Sequence, residues 1–383
     1  MSSRYPSREQ LMDDAVATTG LDDFGPGDFR EGLDVLLLSL SEDAGLARST
    51  DERVLGDLRR RLRNRLLVER WYADHPELDA MAPEGPVDVC GLPRTGTTAI
   101  GNMLSLEPRL RPMRGWEQAD PVPPPVLATE RTDPRRLGAI QADADLPPEA
   151  HAMHLYDADA ALEDTDVLGM AFHGQQMVLP VYGYHDWWRR SDMRQAFAYH
   201  RRIAVLLQSQ RPPDRWLFKC PHHKFHLEHL VDAYPEALFV WTHRDPARVV
   251  PSYSSLVGSI LPEAADPAGH DQVRLGHEIC EHLRIGTVMA MEQRERLGEG
   301  RFLDVHHGDL HHDPMGTMQR IYDFVGLELT GAVEASLARW QALNRSGAKG
   351  THRYTPEQFG LTAEQIREAY DPYIRRFDVR LER

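Results

Sequence analysis

Cysteine is scarce in this chain: Cys90, Cys220 and Cys280 are the only three among 383 residues. Three thiols cannot all pair, which excludes a disulfide framework, and they show no metal-ligand spacing. A reducing cytoplasm is the natural compartment for them. Long apolar runs are missing as well. The longest one near the N-terminus, residues 35–38, is too short for a signal core or a membrane span. Positive charge is in deficit: 44 basic against 59 acidic residues leave a formal net charge of −15. That balance argues against a polyanionic partner such as nucleic acid or a heparan-type glycan, and favours a small ligand that is neutral or lipid-like. Internal repeats and low-complexity segments are absent too, which leaves neither a solenoid nor a long disordered tract to account for.

What is present is the composition of an ordinary globular enzyme, 41% hydrophobic and 27% charged, in a chain too long for one small domain. Residues 11–80 carry two leucine stripes at helical spacing, Leu33, Leu36, Leu37 and Leu40, then Leu55, Leu58, Leu62 and Leu66. The arginine run 59–65 lies on the second stripe and reads as a solvated helix face. Pro83, Gly85 and Pro86 end the pattern. Strand-like runs then alternate with helical ones: Val87–Cys90, Trp216–Lys219, Ala237–Thr242 and Arg301–Val305, each followed by an amphipathic segment. This alternation predicts a parallel sheet covered on both faces, with ligands at the carboxyl ends of its strands. The stretch 110–215, with Phe172, Tyr182, Tyr184, Trp187 and Trp188 close together, reads as a helical insertion rich in core aromatics.

Two stretches carry chemistry. The first, VDVCGLPRTGTTAIGNMLSL over residues 87–106, reads as strand, loop and helix. Its free amides and helix dipole converge on one spot suited to a phosphate or sulfate. Against the nucleotide-triphosphate pattern G-x-x-x-x-G-K-[ST], the glycines Gly91 and Gly96 and the final Thr98 fit, but Thr97 replaces the lysine. The cation is Arg94 instead, a planar fork of donors inside the loop. The second stretch, FVWTHRDPARVVPSYSSL, places Arg244 at a strand end and Ser252 eight residues on, within reach of one phosphate.

Loop and pair, in this chain order, resemble the 5'-phosphosulfate and 3'-phosphate motifs of the sulfotransferases that use PAPS (3'-phosphoadenosine 5'-phosphosulfate). The likeness extends to Trp116-Glu117, Lys219-Cys220-Pro221-His222, Asp309-Leu310, His352, Tyr354 and Phe359-Gly360-Leu361, and is nearest to a bacterial, actinobacterial branch. It implies an α/β, P-loop-like three-layer fold with a central parallel sheet over residues 86–383. An N-terminal helical extension would cover 1–85, and the insertion around 110–215 would cover the acceptor side.

It also implies sulfuryl transfer from PAPS, without a metal, to a hydroxyl or amine of a small, neutral or lipid-like acceptor. Arg94 and Lys219 would offset charge on the leaving phosphate. Thr95, Gly96, Thr97 and Thr98 would hold the 5' side, and Arg244, Ser252, Lys349 and Arg353 the 3'-phosphate. The acceptor's proton would go to His222, though it stands three residues after Lys219 rather than the family's two, or to Glu117. A P-loop kinase or hydrolase, or a binding protein without turnover, are the rival readings, and Thr97 speaks against the first. The histidine-rich HHGDLHHDP, residues 306–314, reads as packing and not as a metal site, since adjacent histidines on a strand face opposite ways.

Overall fold

The computed structural model describes residues 4–146, 156–174, 178–212, 215–261, 271–344 and 354–382. Its centre is a five-stranded, all-parallel sheet in the order β2-β3-β1-β4-β5. The strands are β1 (Val87–Gly91), β2 (Leu110–Pro112), β3 (Arg215–Lys219), β4 (Leu238–His243) and β5 (Phe302–His306). Four of them match the strand-like runs to within a residue at each end. β2 lies inside the stretch expected to be helical; three residues carry no readable period, and its proline is tolerated because the strand is an edge.

Side chains alternate between two cores, as the strand period of two requires. Val87, Val89, Leu217, Val240 and Val305 point to one side, where they meet Ile100, Met103 and Leu104 of the loop helix and Met318, Ile321 and Tyr322. Cys90, Trp216, Phe218, Phe239, Trp241 and Phe302 point to the other. There they join α1 (Arg8–Thr19), α2 (Phe29–Glu42), α3 (Arg48–Asp74) and the helices Thr165–Met170 and Arg194–Gln208 in one continuous core. Leu33, Leu62 and Leu66, from the helical extension expected over 1–85, share their core with the sheet.

The arginine run on α3 is not the solvated face expected. Arg65 is fully buried, donates to the carbonyls of Phe24, Pro26 and Met170, and lies 4.1 and 3.9 Å from the ring centres of Phe29 and Tyr199. Arg60 reaches Asp57 and Asp166, and Arg63 reaches Asp120. Partners supplied by later segments decided this, and spacing along the helix could not reveal them.

The chain steps from β1 to the β2 edge, returns through β3, and crosses β1 to reach β4 and β5, so order reverses at the carboxyl end of β1. Such a switch point opens a crevice for ligands. Gly91 ends β1 there with φ 125°, and a Cβ on it would sit 2.5 Å from the Thr242 carbonyl oxygen. Gly91→Ala should therefore cost roughly 2–5 kcal/mol, strain and overpacking together. Denaturant unfolding within ~0.5 kcal/mol of wild type would show that the loop does not need this close approach.

Candidate active site

The loop after β1 is held open by backbone geometry. Arg94 adopts a left-handed conformation (φ 63°), rare outside glycine, and Gly96 follows with φ 101° as the N-terminal cap of α4 (Thr97–Leu104). No side chain caps α4, so the first amides of that helix face the crevice with the Thr97 and Thr98 hydroxyls beside them. Thr95 is different from the expectation. Its hydroxyl turns inward, donating to the Leu92 carbonyl (2.6 Å) and meeting the Thr242 hydroxyl, so its side chain ties the loop to β4 and only its backbone can serve a ligand.

Two cations and a serine meet where the sequence expected them. Arg94 Nε donates to Ser252 Oγ (3.2 Å), and Arg244 Nη1 donates to the Arg94 carbonyl (3.1 Å). Burial, then the neighbouring Arg244, pushes the Arg94 guanidinium below its ordinary pKa, with Tyr354 opposing. Arg244 also grips a protein anion: its Nε and Nη2 lie 2.8 and 3.0 Å from the two carboxylate oxygens of Glu382. Lys349 and Arg353 lie outside the described residues.

A third group gathers at the end of β3. Lys219 is buried, with its ammonium 3.3 Å from Glu163 Oε1. Glu163 was not foreseen; it stands in an acidic stretch, ALEDTDV, with no motif to mark it. It lines the crevice, whereas His222 lies buried behind it, with neither ring nitrogen hydrogen-bonded. Burial foremost, then the charges of Lys224, His223, His185 and Lys219, drive the His222 pKa well below its ordinary value, so the ring is neutral but a weak base. Glu117 sits among arginines. It is fully buried, does not line the crevice, and is clamped by Arg111 (2.9 Å) and Arg114 (2.6 Å). Burial would raise its pKa, but the two guanidinium groups win and lower it.

Beneath these groups runs a buried chain of partners. His223 Nδ1 stands 3.1 Å from Asp88 on β1, and its Nε2 stands 3.0 Å from Asp164. Asp164 then meets His200 Nε2 (2.9 Å), whose Nδ1 meets the Tyr234 hydroxyl (2.7 Å). Burial alone would strip the His223 proton, yet Asp164 and Asp88 push its pKa up to about 10. The same contact holds Asp164 well below the usual carboxylate range against its own burial.

The crevice is a cavity of about 720 Å³ with two ends. Arg94, Thr97, Thr98, Arg244 and Ser252 make one polar, while Leu146, Leu162, Val178, Leu256 and Ile260 make the other apolar. Of the insertion's aromatics, Phe172, Tyr184 and Trp188 are core residues, whereas Tyr156 lines the cavity. The histidine stretch is also not the strand expected past His306, because His307–His312 form a short helix. Among the described residues, no three ligand atoms of that stretch come within metal-binding distance of one another.

Comparison with known proteins agrees with this geometry. The profile of the sulfotransferase family matches residues 86–331. The crystal structure of sulfotransferase STF9 from Mycobacterium avium superposes with a TM-score of 0.89 at 30% identity, covering 100% of this chain and 99% of that one. Sulfotransferase STF1 from Mycobacterium tuberculosis gives 0.81 at 29% identity, over 97% of this chain and 100% of that one. Among curated proteins, the omega-hydroxy-beta-dihydromenaquinone-9 sulfotransferase Stf3 of Mycobacterium bovis is 25% identical over 192 residues, 49% of this chain and 45% of the relative. The chain belongs to the sulfotransferase family.

The buried chain of partners makes a pH-dependent prediction. His223 has a higher pKa folded than unfolded, so its contribution is complete below about pH 6.5 and fades as pH rises through about 10. Asp164, depressed in the fold, contributes above about pH 4 and loses on acidification. Asp164→Asn should cost about 3–5 kcal/mol at neutral pH and flatten the alkaline loss. Urea unfolding of both proteins across the pH range checks this; parallel alkaline curves would remove Asp164 as the partner that holds the imidazolium.

Proposed function

We propose that this member of the sulfotransferase family transfers a sulfuryl group from PAPS to the hydroxyl of a small, neutral or lipid-like acceptor, in a reducing, cytoplasmic setting. The observation that carries the reading is the meeting of Arg94, Ser252 and Arg244 at the amide-lined mouth of α4, in a cavity whose far wall is apolar. A nucleotide with phosphates at both ends needs two cationic points in one cavity, and Arg94 and Arg244 supply them. Thr97 in place of a Walker lysine sets the site apart from a kinase.

The chain's own residues divide the work. Arg94, the α4 amides, and the Thr97 and Thr98 hydroxyls hold the 5' side, while Arg244 and Ser252 hold the 3'-phosphate. Lys219, buried against the cavity-lining Glu163, offsets charge that builds on the bridging phosphate oxygen as the sulfur–oxygen bond breaks. The acceptor oxygen attacks sulfur in line and its proton passes to a base. We assign that base to Glu163, in preference to His222 or Glu117. Glu163 reaches the cavity and is paired with Lys219, whereas His222 stands behind it and Glu117 is neutralised by two arginines.

The apolar wall supports an alcohol at the end of an apolar chain as the acceptor. The relative named for omega-hydroxy-beta-dihydromenaquinone-9 has an acceptor of that class. The cations of this site are side chains, so turnover should survive a strong chelator.

Two measurements test the reading. Arg244→Ala should weaken adenosine 3',5'-bisphosphate about 10- to 150-fold by calorimetry, the ~1.5–3 kcal/mol of a charge-assisted bond, and leave adenosine 5'-phosphate unaffected. Glu382→Gln should tighten it by up to about fivefold, since a part-exposed ion pair worth up to ~1 kcal/mol no longer competes. Equal affinities across all three proteins would remove the 3' assignment.

For the base, Glu163→Gln should lower kcat roughly 10²- to 10⁴-fold with little change in bisphosphate affinity. A near-normal kcat in Glu163→Gln, with turnover lost in a folded His222→Gln, would move the proton to the histidine.

A further inference from the structure

Where β3 passes into the turn Pro221–Phe225, three ligand types converge from two distant parts of the chain. One carboxylate oxygen of Glu163, the Cys220 sulfur and a ring nitrogen of His222 all lie within 4.8 Å of one another. Each is disposed for coordination. The His222 ring is buried with both nitrogens lacking a hydrogen-bond partner, an arrangement that costs ~1–3 kcal/mol per orphaned group unless something uses it. The Cys220 thiol is buried and unpaired, and its sulfur accepts the backbone N–H of His222, the kind of bond that steadies a metal thiolate. Glu163 lines the 720 Å³ cavity, so the cluster has an opening to solvent on that side. The overlapping set of Asp164, Cys220 and His223 is not equivalent, because His223 is already held between Asp88 and Asp164.

We propose that Glu163, Cys220 and His222 form a site for a thiophilic divalent cation, for which Zn²⁺ is the probe, and that filling it stops sulfuryl transfer. One thiolate, one imidazole and one carboxylate match the borderline-soft character of zinc and exclude magnesium and calcium. Bonds of roughly 2.0–2.3 Å at tetrahedral angles put ligand atoms about 3.3–3.7 Å apart, so the cluster closes by about an ångström. The thiol loses its proton to solvent as the metal–sulfur bond forms, no electron moves, and thiolate plus carboxylate balance the dication. Water from the cavity takes the fourth position. Glu163 leaves Lys219 to become a ligand, and with it goes the base. Only this inhibitory half rests on the assignment of Glu163 above; the binding half does not.

The test uses the full chain, stripped with a chelator and then titrated with Zn²⁺ against a chromophoric competitor, and separately with Co²⁺. We expect one ion per chain, a thiolate-to-cobalt charge-transfer band in the near ultraviolet, and zinc inhibition that a chelator reverses. Cys220→Ser should lose the band, the stoichiometric ion and the sensitivity to zinc, whereas Cys280→Ser should keep all three. Cys220→Ala serves if the serine variant fails to bind bisphosphate and is therefore misfolded. Absence of a stoichiometric ion, or a cobalt spectrum without the thiolate band, overturns the site. An ion bound at Cys220 that leaves turnover intact overturns the inhibitory half and speaks against Glu163 as the base.

Discussion

The imidazolium of His223, enclosed by Asp88 and Asp164, is the contact on which the site's geometry depends. Each member belongs to a segment that carries chemistry one residue or a few residues away. Asp88 lies on β1 ahead of the anion loop, Asp164 follows Glu163, and His223 follows His222 and the end of β3. A buried ion cluster is weak evidence for stability, since apolar residues of like volume often serve as well. Its worth here is registry. Three segments far apart in the chain are fixed relative to one another by atoms with no alternative partner, and His200 and Tyr234 extend the constraint to the helices behind.

The electrostatics above this floor run against the chain's overall sign. With a net charge of −15 the molecule repels anions at a distance, so the affinity for a doubly phosphorylated nucleotide that the proposed function requires has to be local. Arg94 and Arg244 are the cations placed to supply it, and burial first, then the nearness of Arg244, depresses the Arg94 pKa. In the proposed function, an incoming phosphate would offset both positive charges. Until it arrives, Glu382 satisfies Arg244, and the tail that bears it is pinned by its own backbone, with its N–H on Asp245 (2.8 Å) and its carbonyl on Arg367 (2.7 Å). The carboxylate can therefore move aside without the tail losing its place.

Much of this was legible before any coordinates. The strand and helix periods located four of five strands, and the loop 91–98 with Arg244 and Ser252 pointed to residues that meet at one cavity, because backbone amides and guanidinium forks leave a spacing in the sequence. What stayed hidden has a common physical cause: it depends on partners that spacing does not reveal. Arg65 looked solvated until Phe29, Tyr199 and three carbonyls closed over it. Glu117 and Glu163 are alike as letters, yet one lies under two arginines and the other faces the cavity. Thr95 reads as a loop hydroxyl like its neighbours, and only the tertiary approach of Thr242 turns it inward.

One helix joins the two ends of the cavity. Residues Pro246–Ile260 start on Asp245, whose carboxylate accepts the Ala247 N–H (3.0 Å) and is fixed from outside by Arg367 (2.7 Å). Ser252 on that helix touches Arg94, and Leu256 and Ile260, at steps of four residues, continue the same face into the apolar wall. One helical face thus carries both a hydroxyl and an aliphatic surface into the cavity, which in the proposed function serve the nucleotide and the other substrate. The distance between the two is set by helical rise, ~1.5 Å per residue, and does not vary with loop motion. Glu163 lines the same cavity from another segment, with Lys219 buried against it, and the His223 cluster ties that segment to β1 and to the end of β3; in the proposed function this fixes where donor and acceptor meet.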